Sequence, residues 1–414
     1  IVKERDDMDF RFSDNVKNLN PSAIREILKY ASDPEVVSLS AGNPAPEAFP
    51  VEDIRRISDR ILTERPIDAL QYSTTEGYGP LRSHLTAYMK QKHGIGRDFD
   101  DILITSGAQQ TIELCVKALC NDGDVAICEQ PSFVGTLNSI RSLGGRLVGV
   151  PMEKDGMDME ALEAALQANP TAKLIYTIPN FQNPSGITMS MDKRRRLYAL
   201  AKAYGVLVLE DNPYGDLRFE GEHVPAIKSL DEDGIVLYAG TFSKVLSPGI
   251  RVGYAIGPAA LLKKMIVCKQ GEDVHTGIWA QMIAAEFMSG TDYEAHLDKL
   301  RAIYRQKARL MTGLIEKHLV PHGIAYHPIQ GGLFIWCELP EGADMRAFCT
   351  RAVKEHKVAV VPGNAFLVNE QDPCQAFRLN FSTPTDEAME KGLERLGGFA
   401  AEFLYPGLGF RGRA

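Results

Sequence analysis

The chain has 414 residues, 44% of them hydrophobic, enough for one large domain and a smaller one. Its formal net charge of −8 gives it no overall basic character of the kind that marks a nucleic-acid partner. No apolar run approaches the roughly 18 residues of a membrane span, and the polar residues 1–20 contain no apolar signal-peptide core.

In chain order, residues 1–20 read as extended and 21–30 as a short helix, from apolar residues at helical spacing. A Pro/Gly loop over 40–50 leads to a helix at 51–64, a turn-rich stretch over 70–77 and an amphipathic helix at 80–93. Strands and helices then alternate. Strands are predicted at 101–105, 125–128, 146–150, 173–177 and 206–209, with helices at 108–120, 132–143, 158–168 and 190–204. Two more apolar runs, 235–239 and 251–257, follow, and then a long helical region over 276–319. Near-continuous apolar strands between helices indicate an α/β fold, a mostly parallel sheet covered on both faces. After that the rhythm changes. Antiparallel strands at 333–338 and 377–381, with helices at 344–356 and 385–404, read as a smaller α+β domain.

Seven cysteines form no CxxC pair and lie mostly in apolar runs, as reduced thiols of a cytoplasmic protein would. Nine histidines are scattered, without HExxH or a tight His/Cys/Asp cluster, so no metal site is expected. A first residue of Ile rather than Met leaves room for an upstream segment.

In open α/β sheets, ligands sit at the carboxyl ends of the strands. Between the runs 235–239 and 251–257 lie Thr241, Ser243, Lys244 and Arg251. Burial lowers a lysine pKa, and the neutral amine can form a Schiff base. Hydroxyls and an arginine are what a phosphate dianion needs. Taken alone, the stretch is equally a surface turn. Ser106-Gly107-Ala108-Gln109 opens a helix, as an anion site or a plain cap. Phe133 is a ring-stacking or a core aromatic. Asn183, within Asn183-Pro184-Ser185-Gly186, is a turn former that can also donate to a phenolate. Asp211, in Glu210-Asp211-Asn212-Pro213-Tyr214, ends a buried strand. It is either a turn cap or the partner of a cation such as a protonated pyridine.

The ordered set Asn183-Pro184-x-Gly186, Asp211-x-Pro213-Tyr214, Ser243-Lys244 and Arg251 resembles that of the fold-type I, pyridoxal-phosphate-dependent aminotransferases of class I/II. Within them the chain is similar to the branch of 2-aminoadipate and kynurenine aminotransferases, over Pro21 to Phe381. The resemblance implies a PLP-binding large domain at 51–305. The small domain would combine an N-terminal arm, 1–50, with a C-terminal part, 306–414. It implies that Lys244 carries the cofactor, that Asp211 holds the pyridine nitrogen, and that Asn183 and Tyr214 hold the ring hydroxyl. Pro213 would pack one ring face and Phe133 would stack on the ring. Ala108, Gln109, Thr241, Ser243 and Arg251 would hold the phosphate, joined by Tyr72 from across a homodimer interface. Arg378, Asn183 and Gly42 would hold the substrate carboxylate, and Arg25 a distal one. Ala108 and Phe133 depart from the frequent Ser and Tyr, losing a hydroxyl each.

The activity so implied is ping-pong transfer of an amino group between an amino acid and a 2-oxo acid, with 2-oxoglutarate/glutamate as one pair. Lys244 would act as general base and acid. The partners are small molecules, with neither nucleic acid nor membrane. A β-lyase or decarboxylase on the same scaffold is the alternative within enzymes. The alternative outside them is the effector domain of a transcription regulator, for which residues 1–20 are too short to supply the DNA-binding module.

Overall fold

A computed structural model describes residues 10–17, 30 and 33–405. Its strands, in chain order, are β1 (Val37–Ser38), β2 (Asp100–Thr105), β3 (Val125–Gln130), β4 (Arg146–Glu153), β5 (Gly156–Met157), β6 (Leu174–Thr177) and β7 (Leu207–Asp211). They continue with β8 (Val236–Thr241), β9 (Gly253–Pro258), β10 (Ala325–Tyr326), β11 (Phe334–Glu338), β12 (Val358–Ala359), β13 (Val361–Pro362) and β14 (Ala376–Asn380).

The large sheet has eight strands in the order β2-β9-β8-β7-β6-β3-β4-β5. From β8 to β4 every pairing is parallel; β9 runs antiparallel between β8 and β2. Successive side chains of a strand point to opposite faces. Ala126, Cys128, Leu174, Tyr176, Leu209 and Leu237 therefore join one apolar layer, against the helix Ala108–Leu119. Val125, Ile127, Ile175, Val208 and Val236 join the other, against the helices Met159–Ala168 and Met191–Tyr204. Burial on both faces explains why these strands read as continuous apolar runs.

The single helical region expected over 276–319 is two helices, Ile278–Gly290 and Tyr293–His318. The break is local chemistry: Asp292 accepts the Ala295 N–H and caps the second helix. The helix Ala259–Gln270 had no counterpart in the periodicity. Apolar residues and lysines are spread around it without a stripe.

The smaller sheet is antiparallel, β10-β11-β14-β13, and includes the two strands expected at 333–338 and 377–381. N-terminal residues join it in space. β1 pairs parallel with β12, matching Val37 with Val358, and the Asn380 N–H donates to the Leu39 carbonyl. This lays residues 37–43 across the C-terminal part of the chain, facing the carboxyl ends of the large sheet.

Candidate active site

The pleat of β7 separates two neighbouring carboxylates. Glu210 points into the layer of the helix Met191–Tyr204, where its oxygens accept the Ile227 and Lys228 N–H groups. Asp211 points to the opposite face, the side of Tyr176, whose hydroxyl donates to Asp211 Oδ2 at 2.8 Å. Asp211 Oδ1 is buried and has no hydrogen-bond partner among the described residues. Burial raises the Asp211 pKa to about 7, against the pull of the Tyr176 hydrogen bond. A carboxylate so placed lacks a cation.

Asp211 lines a cavity of about 400 Å³ at the strand ends. One wall is the loop from β2 to the helix Ala108–Leu119. Gly107, at φ 84°, precedes that helix and offers no side-chain cap, so the first N–H groups are left for an anion. A Cβ on Gly107 would lie 2.3 Å from Arg251 Nη2, and one on Gly253 would lie 2.7 Å from the Ala108 nitrogen. Only glycines allow this close approach of loop, strand and guanidinium. Arg251 itself sits at φ 54°, a left-handed backbone, and its Nη2 donates to the Ser106 carbonyl at 3.1 Å. Thr241 and Ser243 stand beside it, their hydroxyls 2.9 Å apart. An arginine, two hydroxyls and a helix N-terminus form a cup for a phosphate dianion.

Lys244 enters the cavity from the same loop and donates to the Gly42 carbonyl at 2.9 Å. Burial, with the charges of Arg378 and Arg251, lowers its pKa to about 8. Arg378, on β14, is buried, and burial brings its pKa down to about 10. Its Nη1 donates to Asn183 Oδ1 at 2.7 Å and its Nη2 to the Ser40 carbonyl at 2.8 Å. The rings of Phe334 and Phe366 lie 4.1 and 4.9 Å from its guanidinium carbon. Among the described residues no carboxylate pairs with it, so it remains available to a substrate's. Burial holds the Tyr214 hydroxyl well above the ordinary phenol range, while Arg378 pulls the other way.

Thirteen residues singled out in the sequence line this cavity: Gly42, Ala108, Gln109, Phe133, Asn183, Asp211, Pro213, Tyr214, Thr241, Ser243, Lys244, Arg251 and Arg378. Tyr72 does not; it is 81% exposed, edge-on to His275. Arg25 lies outside the described residues.

Sequence reasoning passed over several residues. Tyr176 sits inside an apolar run, where nothing distinguishes its hydroxyl. Phe334 was read only as a strand residue. Glu129 follows Val125–Cys128 as Asp211 follows its own strand, so the same signal was there. Glu129 is fully buried, and burial raises its pKa to about 7. It accepts hydrogen bonds from the Thr177 hydroxyl, the Ile178 N–H and Gln182 Nε2. Gln182 also donates to the Pro131 carbonyl and accepts from Ser185. This network ties the loop carrying Phe133 to the loop carrying Asn183.

The family model of aminotransferase class I and II matches residues 34–396. The chain is 38% identical to aromatic-amino-acid aminotransferase 1 of Thermococcus litoralis, over 93% of each protein. It is 36% identical to the 2-aminoadipate transaminase of Thermus thermophilus, over 93% of this chain and 95% of that one. Among solved structures, kynurenine aminotransferase of Pyrococcus horikoshii superposes with a TM-score of 0.90 at 36% identity, covering 94% of this chain and 97% of the other. That structure is a complex with PMP, the amino form of the cofactor. With a cavity that offers a lowered-pKa amine, an unpartnered carboxylate and a phosphate cup, the chain belongs to the class I and II aminotransferases, as a pyridoxal-phosphate-dependent enzyme that moves amino groups between amino acids and 2-oxo acids.

Proposed function

We propose that the residues of this cavity divide the work as follows, and that the preferred amino donor is aromatic or otherwise apolar. The Ala108 and Gln109 end of the helix, with Thr241, Ser243 and Arg251, holds the cofactor phosphate. Phe133 and Pro213 cover the ring faces. Asn183 and Tyr214 hold the ring oxygen, and Asp211 Oδ1 the ring nitrogen. When bound, pyridoxal phosphate supplies an electron sink for the pair left on the substrate Cα. Arg378 grips the substrate carboxylate, with the Gly42 backbone beside it, and fixes the direction of the Cα–H bond. The Lys244 amine would take the Cα proton and return it to the carbon on the far side of the transferred nitrogen, the shift that amino transfer requires. The observation that carries this reading is the meeting, in one cavity, of Lys244, the orphaned Asp211 Oδ1 and an Arg378 without a carboxylate. The domain division 1–50, 51–305 and 306–414 belongs to the same reading, supported by the pairing of Val37 with Val358.

Apart from the residues given to the cofactor, the cavity has the apolar walls Ile112, Val134, Ile178 and Phe334, which favour an aromatic or long aliphatic side chain. The relatives' names point to aromatic, kynurenine and 2-aminoadipate substrates. A distal carboxylate, as in 2-oxoglutarate, needs a further cation, and Arg25 is our candidate. A panel of donors against 2-oxoglutarate tests this. Phenylalanine, tyrosine and kynurenine should exceed alanine in kcat/KM by at least about tenfold, the worth of a buried apolar side chain. Arg25→Gln should lower kcat/KM for acidic substrates by about one to two powers of ten. Equal rates across the panel would remove the apolar preference. Ammonia and pyruvate without glutamate would replace transfer by lyase chemistry.

The same reading makes the enzyme a cytoplasmic homodimer acting on small molecules, without nucleic-acid or membrane partners. All seven cysteines are free, in keeping with a reducing compartment. No helix among the described residues is long and apolar enough to cross a membrane. Ile67, Leu70, Tyr72, Val274 and Trp279 are exposed, and several of them meet around Tyr72. That apolar surface suits a second copy, whose phosphate cup Tyr72 would complete. Tyr72→Phe should loosen cofactor retention. Mixing it with Lys244→Ala subunits should regenerate some activity, and no recovery between subunits that demonstrably exchange would sink the shared site.

A further inference from the structure

A second cavity, of about 470 Å³, opens beyond Tyr214, on the turn Gly215–Glu220. Three arginines from two elements converge on that turn. Arg301 and Arg305 stand one helical turn apart on the helix Tyr293–His318. Arg301 Nε donates to the Asp216 carbonyl at 2.9 Å, and Arg305 Nε donates to the Phe219 carbonyl at 2.8 Å. Anchored at Nε, both guanidiniums are held in place; Arg301 Nη1 is taken by Asp298, while the outer nitrogens of Arg305 have no partner among the described residues. Arg218 belongs to the turn itself. Its Nη1 donates to Gln330 Oε1 at 3.0 Å, and its guanidinium carbon lies 4.7 Å from the centre of the Phe181 ring.

Two of these arginines have no carboxylate partner among the described residues, with Asp216 and Glu220 also in the cavity wall. Lys92 is paired with Glu294 at 2.9 Å and Arg301 with Asp298 at 2.7 Å. Asp216 lies 3.8 Å from His93 Nε2, and Glu220 is exposed on the rim without a cation partner among the described residues. Among the same residues, no carboxylate comes within ion-pair distance of Arg218 or Arg305. His223 completes the wall, its ring centre 6.0 Å from that of His93. Burial, with the charges of His93, Arg218 and Arg194, lowers the His223 pKa against the opposite pull of Asp216. The unpaired guanidiniums of Arg218 and Arg305 supply the positive charge that an anion needs.

We propose that this second cavity binds a phosphate-class oxyanion, either inorganic phosphate or a small phosphomonoester. Fixed guanidinium forks match tetrahedral oxyanions bidentately, and two imidazoles add donors. A cavity of this size has room for an organic group behind the phosphate. The site is separate from the cup at Arg251, which the cofactor's own phosphate fills in the holoenzyme.

The experiment is calorimetric titration of inorganic phosphate into the holoenzyme, following the cofactor absorbance in parallel. One saturable site per chain with an unchanged cofactor spectrum is expected. Arg305→Gln and Arg218→Gln, each retaining turnover and far-ultraviolet circular dichroism, should each weaken phosphate binding by about tenfold or more. Glycerol phosphate, which has no amino or carboxyl group for the first cavity, binding more tightly than phosphate would mark an ester as the natural occupant, and equal binding the free ion. The proposal is overturned by either of two outcomes: no saturable heat, or unchanged affinity in both variants. Failure here would leave amino transfer untouched, because the donor panel reads only the first cavity.

Discussion

Lys244→Ala protein is expected to lose turnover by about four powers of ten or more, since the proposed reading makes one residue both cofactor anchor and acid–base group. Borohydride, which fixes an imine to protein, should leave cofactor attached to wild type and none attached to the variant. Attachment that survives the substitution would move the role to another lysine. The lowered pKa gives the experiment a second arm. Only the neutral amine attacks a carbonyl, and its fraction rises with pH through the pKa. With a pKa of about 8, roughly a tenth of Lys244 is neutral at pH 7, against less than about a thousandth for an ordinary lysine. Reconstitution of the cofactor-free protein should therefore speed up with pH and level off a little above 8. A rate still climbing tenfold per pH unit toward 10 would mean that burial and the two arginines do not act on this amine.

Asp211→Asn should bind the cofactor and yet be nearly inactive. The amide keeps the size of the side chain and can keep the Tyr176 contact, but brings no charge to hold a proton on a ring nitrogen. Removing one preorganised electrostatic partner costs about two to three powers of ten in kcat, and a loss of that order is expected. Cofactor absorbance retained at a stoichiometric level, with single-turnover proton removal slowed to the same extent as kcat, would fit the role. An Asp211→Asn enzyme within a few-fold of wild type would show that the orphaned oxygen has no part in the reaction.

The parts of this molecule that could be read from its sequence share a physical reason. Parallel strands buried on both faces leave long apolar runs, so each strand end, and the polar residue just after it, stands out. That is how Lys244, Asp211 and Asn183 became visible, together with the helix start at Ala108. Tyr176 stayed hidden because its hydroxyl is one polar atom on a side chain otherwise suited to a core. Gln182 lay next to a motif that was read, yet its partners Glu129 and Pro131 come from another strand end, and only the folded sheet brings them near. The strands β1, β12 and β13 have two residues each, too few for any periodicity. Asp292 carried a signal that the single helical region expected over 276–319 overlooked: a capping residue after Gly290-Thr291 announces a new helix.

The pairing of Val37 with Val358 fixes when the substrate side of the cavity can come into being. The two residues are 358 − 37 = 321 positions apart, so the early segment that carries Ser40 and Gly42 has no strand to join until most of the chain has been synthesised. At about 5–20 residues per second, that wait is roughly 15 to 60 seconds. The eight-stranded sheet, complete by Pro258, has its whole sequence available well before then. Arg378, which rests on the Ser40 carbonyl, comes later still. Birth order thus runs opposite to the order in which a substrate would meet the site: the platform proposed for the cofactor is made first, and the grip proposed for the incoming carboxylate closes last.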